Sequence, residues 1–423
     1  MKIKLVTFAP HPNFGTCLQS YALNKVLCDM GHEVEFIYNG RENPPKTLLR
    51  HIKNFIRFFL PSSTVRKIHK RISIRRESMP LAPPAILKLP DSNLHYYISR
   101  LPFYNAIYKL LMCRTLQQKK VWRFTFEDGN YQMKRLYCKS QYDEIVADAD
   151  LFITGSDQIW NPYCGGFNPM MFLEFAGEKK RIAYSSSIAR LEFPIEVRER
   201  ARMDLMKFQH IAVREKSSVD LLNKLLDRND IQLVLDPTYL LSREEWQEFG
   251  NRATIEFEVP ERYIFCYFVG DRYEDYDAMV RDVMYKTGIK DVVTVDCTGS
   301  PMNYGDGIIY RDGGPYEWVY LLSHSSLVCM DSFHATVFAL GFHKDFVHIL
   351  KTKGDKSTAS QNSRMYDMLG RYGLKYKLYE KTSKEWLKPI DYINIDRAIS
   401  EEVNSSLGIL KMEISCSDGS TNT

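Results

Sequence analysis

The sequence predicts an α/β protein of two lobes, each built on a parallel sheet, meeting at a cleft. Three observations carry this. Short apolar runs that end in a polar turn and a helix start recur along much of the chain, the pattern of strands feeding crossover helices. A second such series begins near Pro260. The 423 residues also exceed what one hydrophobic core usually serves, about 250–300.

Ile3 to Ala9 reads as the first strand, followed by a polar turn at Pro10–Gly15. The helix after it shows its buried stripe in Leu18, Ala22, Val26 and Met30 and stops at Gly31, before a second strand from Glu33 to Tyr38. This opening therefore reads as a buried strand and not as a signal peptide. Residues 41–135 break the pattern with prolines and mixed basic and aromatic segments, and read as an inserted helical region. Regularity returns at DADLFITGSDQIW, KKRIAYSSSIA, HIAVREKSSVDLL and IQLVLDPTYLL. After Pro260, RYIFCYFVG is a strand, DRYEDYDAMVRDVMYKTG a helix and KDVVTVDC a strand. YEWVYLLSHSSLVCMDSFHATVFALGFHKDFVHIL then supplies helix, strand, turn, helix and strand, and NSRMYDMLGRYGL a further helix. The expected division is a first lobe over 1–245, a second over 246–405 with terminal helices that stay in it or return to the first, and a loose polar tail over 406–423.

Hydrophobic residues make up 44% of the chain and charged residues 26%, enough apolar surface to offset ordering entropy, which excludes a disordered protein. The 9 cysteines are odd in number, lack a CxxC pair and sit mostly beside apolar residues, as in Phe265-Cys266-Tyr267, so they read as reduced core thiols of a cytoplasmic protein. No structural zinc is expected, and no run reaches the ~20 apolar residues of a membrane-spanning helix. The formal charge is only +5, but residues 41–80 hold 11 Lys or Arg against Glu42 and Glu77. NFIRFFLPSSTVRKIHKRISIRR, around residues 50–76, is therefore either a solvated insertion or a peripheral contact with the inner face of a membrane, apolar side chains entering while Lys and Arg reach anionic head groups. It has no compact nucleic-acid-binding motif, and nucleic acid is not expected as a partner.

Candidate chemistry sits where strands end. Asn13, Gly15 and Gln19 lie at the first strand-to-helix junction, where amides and small polar groups can face a ligand; neither GxGxxG nor GxxxxGK[ST] is present, so nucleotide chemistry is unsupported there. The second junction, LFITGSDQIWNP, offers Gly155 for close backbone approach, Ser156 and Gln158 for hydroxyl recognition, Asp157 to orient a hydroxyl or take its proton, and Trp160 as an apolar ring face. Its plainer reading is an aspartate cap and a core tryptophan. Arg214 either clamps a phosphate or carboxylate or pairs with Glu215. Asp236 in LDPTYLLSREEW ends a strand, and Ser242 with Glu245 forms a capping box, a passage that reads mainly as architecture. In MDSFHATVF, Asp331 and Ser332 can cap a helix beginning near His334, a residue type that exchanges protons near neutrality; a buried, satisfied histidine is the alternative. Arg364 in QNSRMYDML is a further anion-contact candidate or a surface arginine.

Taken in order, NFGTCLQSYALNKVL, YDEIVADADLFITGSDQIWNP, AVREKSS, VLDPTYLLSREEW and DSFHATVFAL closely resemble segments of the polysaccharide pyruvyl transferase family, over roughly residues 1–400 and least clearly in the insertion. The resemblance implies two Rossmann-like lobes in a glycosyltransferase-B-like arrangement. It also implies transfer of the enolpyruvyl unit of phosphoenolpyruvate to sugar hydroxyls, giving a pyruvate ketal in exopolysaccharide, capsule or cell-envelope glycan assembly. His334 then corresponds to the family's acid/base histidine and Arg214 to the arginine of its Val-Arg-Glu segment, which would hold the donor with Ser332 and Arg364. Asp157 joins His334 as a catalytic candidate, and Asn13, Gly15, Gln19, Gly155, Ser156, Gln158 and Trp160 fall to the acceptor side. Ala335 replaces the glycine common after that histidine. No cofactor is implied beyond phosphoenolpyruvate as donor, and the partner is a glycan or lipid-linked saccharide. The competing readings are a sugar-nucleotide-dependent glycosyltransferase and a non-catalytic carbohydrate-binding protein.

Overall fold

A computed structural model describes residues 1–9, 13–39, 115–164, 166–269, 276–295, 307–351 and 362–417, with a few single positions between 97 and 113. The basic segment at residues 50–76 lies outside the described residues.

The first lobe runs β1 (Lys2–Val6), α1 (Phe14–Asp29), β2 (Glu33–Asn39), α2 (Leu116–Trp122), β3 (Met133–Leu136), α3 (Ser140–Asp148), β4 (Leu151–Thr154), β5 (Arg181–Ser186), α4 (Ile195–Leu205), β6 (His210–Val213), α5 (Lys216–Leu226) and β7 (Gln232–Leu233). After α6 (Arg243–Gly250) the second lobe runs β8 (Tyr263–Tyr267), α7 (Tyr276–Thr287), β9 (Asp291–Val295), β10 (Ile308–Tyr310), α8 (Pro315–His324), β11 (Leu327–Met330), α9 (Phe333–Gly341) and β12 (Phe346–His348). It is followed by α10 (Ser363–Arg371) and α11 (Tyr392–Ser417). Strands order as β3-β2-β1-β4-β5-β6-β7 in one sheet and β10-β9-β8-β11-β12 in the other. Every pairing is parallel. This is the two-lobed, glycosyltransferase-B-like α/β architecture expected.

In each sheet the order reverses once, beside β1 and β4 in the first and beside β8 and β11 in the second. Such reversals open a crevice at the carboxyl ends of the strands. There the loops leaving β1 and β4 carry Asn13 to Gly15 and Gly155 to Asp157, and the loop leaving β11 carries Asp331 to His334.

The helices beside these crevices start where their caps dictate. Asn13 Oδ1 accepts from Thr16 N at 3.4 Å to begin α1, and Ser332 Oγ accepts from Ala335 N at 3.5 Å to begin α9. The expected box at α6 is also formed, Ser242 and Glu245 bonding each other's amides. Leu18, Ala22, Leu23 and Leu27 of α1 are fully buried, each such leucine adding about 1.5–3 kcal/mol of burial free energy. The same apolar cluster continues from Ile3 and Leu5 of β1 through Trp246, Phe249, Trp318 and Phe338 to Tyr263 and Phe265 of β8. The lobes therefore share a core. A polar strap adds to it, with Lys120 Nζ at 2.7 Å from Tyr310 Oη and 3.2 Å from Glu317, and Tyr316 Oη donating to Asp128 at 2.9 Å.

The carboxyl-terminal segment departs from expectation. Residues 406–417 are helical and not a loose tail, because Val403, Leu407, Leu410 and Ile414 recur at helical spacing beneath a polar outer face. Leu410 is 0% exposed, and Ser406 ties α11 to the first lobe by accepting from Tyr184 Oη at 3.0 Å and from Leu235 N at 2.9 Å. No described helix is long and apolar enough to cross a membrane.

Candidate active site

The crevices of the two sheets face each other, and the sequence candidates converge there around Arg214. That arginine follows β6 with its side chain 1% exposed. Its guanidinium is taken up by three carboxylates: Nη1 donates to Asp236 at 2.5 Å, Nη2 to Asp157 at 3.2 Å and Nε to Glu215 at 3.3 Å. Both sequence readings, pairing and anion clamping, compete for the same fork, and pairing occupies it. Burial opposes the charge, yet Asp236, Asp157 and Glu215 hold the guanidinium pKa above its usual value.

Asp157 is equally engaged. Its Oδ2 accepts from Thr16 Oγ1 at 2.7 Å and its Oδ1 from Gln158 N at 2.8 Å. Burial alone would push the carboxyl up; His334 and Arg214, with the Thr16 hydrogen bond, instead hold it far below the carboxylate range. A carboxylate so stabilised is a poor proton acceptor and a good anchor. Asp236 resembles it: burial is outweighed by His334, Arg214 and Thr238.

His334, 5% exposed, reaches in from α9 on the other lobe. Its Nε2 stands 3.4 Å from Asp236 Oδ2, ion-pairing distance, without the alignment of a hydrogen bond. The opposite edge of the ring lies on α1 so closely that a Cβ on Gly15 would fall 2.5 Å from Nδ1. Phe333, one residue earlier, lies between two guanidinium groups, Arg214 at 4.7 Å and Arg364 at 5.6 Å from its ring centre.

Arg364 is buried rather than a surface arginine, 6% exposed with Nε lacking a partner. With the Gln158 amide oxygen turned toward it, Gln158 accepts at 2.7 and 3.2 Å. Burial lowers the Arg364 pKa, and Arg214 lowers it further. Two neighbours were not foreseen. His348, at the end of β12, bonds Thr336 Oγ1 through Nδ1 at 3.2 Å and leaves Nε2 buried without a partner; burial, then Lys351 and Arg364, take its pKa down to about 3. Lys351 follows that strand, lowered by burial against the pull of Asp331. The signal for both was the strand-end rule already applied to Arg214 and His334, since FVHILK is another apolar run reaching the same crevice.

The remaining candidates separate. Asn13 Oδ1 also accepts from Tyr267 Oη across the lobes at 3.4 Å, and Ser332 serves as the α9 cap. Gln19 and Ser156 are 0% exposed and bond each other, Ser156 N donating to Gln19 Oε1 at 3.2 Å. Gly155, at φ +130°, lies so close to the Tyr184 carbonyl that a Cβ would overlap it at 2.0 Å, so its approach is to backbone. Trp160 is 1% exposed, donates Nε1 to Met171 O at 3.0 Å and stacks on Phe172. Its ring is core and offers no face to a sugar. Among the described residues no group of three or more His, Cys, Asp or Glu could hold a metal ion.

Solved structures with broadly similar architecture include the UDP-GlcNAc 2-epimerase from Neisseria meningitidis bound to UDP-GlcNAc (TM-score 0.47, 10% identity, 98% of this chain and 99% of that one). Two others are the UDP-GlcNAc 2-epimerase from Methanocaldococcus jannaschii (0.44, 10%, 92% and 91%) and the E. coli ADP-heptose lps heptosyltransferase II (0.35, 10%, 97% and 100%). Likenesses this loose bear on neither ligand nor chemistry. No curated protein matches the sequence. The family model for polysaccharide pyruvyl transferase matches residues 13–350, a span that opens at the α1 cap, takes in Asp157, Arg214, Asp236 and His334, and closes just before Lys351. The chain belongs to the polysaccharide pyruvyl transferase family.

Proposed function

We propose that this enzyme transfers the enolpyruvyl unit of phosphoenolpyruvate to two hydroxyls of one sugar, leaving a cyclic pyruvate ketal on a polysaccharide or cell-wall glycan. Beyond family membership, one observation carries the reading: the crevice holds polar nitrogen groups not taken up by the protein. Arg364 Nε and His334 Nε2 are buried without hydrogen bonds, and Lys351 stands beside Arg364. A donor with a phosphate and a carboxylate supplies the acceptors such a set lacks. Arg214, already saturated, shapes the wall and keeps Asp157 and Asp236 ionised, so donor anchoring falls chiefly to Arg364 and Lys351.

In the first stage a sugar hydroxyl oxygen bonds to C2 of the donor while the His334 imidazolium gives its proton to C3, the double-bond electron pair forming the new C–H bond. The hydroxyl's own proton passes to the donor phosphate. In the second stage the C2–O bond to phosphate breaks, the protonated phosphate leaves with that electron pair, and the second hydroxyl oxygen takes its place. The proton of that hydroxyl returns to His334, restoring the imidazolium. Cations around the phosphate stabilise the charge that builds on it, and burial strengthens their effect.

The acceptor side falls to Asn13 and Gln158, which are both partly exposed. A lipid-linked acceptor, met at the inner face of a membrane through the basic residues 50–76, is part of the proposal; its support is the sequence of that segment. The test supplies phosphoenolpyruvate or sugar nucleotides with soluble and lipid-linked glycans and follows phosphate release and acceptor mass. Phosphate release with pyruvate appearing on the glycan is expected. Dependence on a sugar nucleotide, or glycan binding without any product, would overturn the reading.

A further inference from the structure

We infer that Asp236 is the positioning residue for His334: from the first lobe, its buried carboxylate holds the imidazole of the second lobe at the reacting end of the donor for the first proton transfer. The inference rests on the pyruvyl-transfer reading for its chemistry, though not for its geometry.

Asp236 is fixed before His334 arrives. Its Oδ1 accepts from Thr238 N at 3.1 Å and Thr238 Oγ1 at 2.7 Å, both in the turn that Pro237 starts. Its Oδ2 accepts from Arg214 Nη1 at 2.5 Å and from Ser156 Oγ at 3.3 Å. All four donors belong to the first lobe. His334 Nε2, at 3.4 Å, is the contact from the second, and the side chain of Asp236 is 0% exposed.

Asp157, Asp236 and Glu215 all press on the single guanidinium of Arg214. A second buried cation, Arg364, also acts on Asp157 and Glu215. The groups facing the ring are Asp236 and Asp157 from the first lobe, Gly15 of α1 against its other edge, and Phe333 edge-on from its own helix at 5.5 Å. Because Nε2 lies within ion-pairing reach of Asp236 without a formed hydrogen bond, its proton stays available to a substrate carbon. A carboxylate aligned for full hydrogen bonding would hold that proton more tightly. Since Asp236 and His334 come from different lobes, the acid is assembled only when the lobes stand as they do here.

The test compares Asp236→Asn, Asp236→Glu and Asp236→Ala. With phosphoenolpyruvate and an active acceptor, Asp236→Asn should lower kcat on the order of 10²-fold, the range of a lost general acid, with donor KM changed by less than about threefold. Asp236→Glu, which keeps a carboxylate for the ring to meet, should recover part of that loss. If donor KM rises while kcat stays at the wild-type value, Asp236 serves only to anchor Arg214 and the inference is wrong. A crystal structure of Asp236→Ala decides the positioning claim independently of turnover: a displaced His334 ring supports it and an unmoved ring overturns it. Should the wild type release no phosphate from phosphoenolpyruvate, the functional reading falls while the crystal structure still judges the geometry.

Discussion

Replacing Gly15 by alanine tests whether the His334 ring acts where the structure holds it. Gly15 is the second residue of α1, and a Cβ there would lie 2.5 Å from Nδ1 and 2.6 Å from Cβ and Cγ of His334. Heavy atoms in contact sit near ~3.5 Å, and because His334 Cβ is itself in the way, ring and α9 backbone must retreat together by about 1 Å. A displacement of about 1 Å at a reacting group costs on the order of 10²-fold in rate, about 2.7 kcal/mol of transition-state stabilisation. Helix propensity points the other way, since alanine is favoured over glycine by about 1 kcal/mol inside a helix. Overpacking costs about 1–3 kcal/mol against that gain, so the variant should fold with a modestly lower thermal midpoint, while kcat for phosphate release drops about a hundredfold and donor KM stays within a few-fold. Wild-type kcat in Gly15→Ala would refute the placement of His334 as the acid. Equal loss of stability and activity would show instead that the lobes had separated.

The two buried arginines should respond differently. Arg364→Gln should raise donor KM by about 10- to 100-fold with little change in thermal midpoint, the effect of removing a charged hydrogen-bond donor from a ligand. Arg214→Gln should instead destabilise the fold by about 3–5 kcal/mol in chemical denaturation, because Asp157, Asp236 and Glu215 would remain buried without their cation. Trp160→Ala should lose about 3–5 kcal/mol as a core truncation and leave acceptor KM of the folded protein unchanged; a raised acceptor KM would restore its ring to the binding surface. Burial, and then Asp230, raise the Glu413 carboxyl on α11 to about 8 from an ordinary 4.5, so it stabilises the fold while protonated and that contribution is lost as pH rises toward 8. His348, whose pKa falls from 6.5 to about 3, opposes this below pH 6.5. Between pH 6.5 and 8 the Glu413 effect alone should lower stability by about 2 kcal/mol, and Glu413→Gln should flatten that slope in urea titrations.

What the sequence showed best was whatever depends on neighbours along the chain. The β1–α1–β2 opening, the capping box of Ser242 and Glu245 and the cap at Ser332 are local matters of hydrophobic period and hydrogen-bond chemistry, legible within a dozen residues. The strand-end rule pointed to His334, Arg214 and Asp157, since parallel sheets present their loops at one edge, and the helix start at Asn362 pointed to Arg364. Partnership was not legible. Arg214 meets Asp157 and Asp236, 57 and 22 residues away, only after three strands align. A motif shows that an arginine is present and not that its fork is occupied. Trp160 misled for a related reason: an indole after polar residues suggests a sugar platform, whereas the turn that aims Asp157 at Arg214 sends the ring into the core beside Phe172. In α11, polar residues hid an apolar stripe whose spacing becomes visible once the helix is drawn from Tyr392.

The most direct measurement follows isotopically labelled phosphoenolpyruvate incubated with the protein and a panel of cell-envelope glycans. The account predicts equal amounts of released phosphate and of glycan carrying the labelled three-carbon unit as an acid-labile ketal, both nearly abolished in His334→Gln. Phosphate release without label on any glycan, or labelled ketal formed undiminished by His334→Gln, would contradict it.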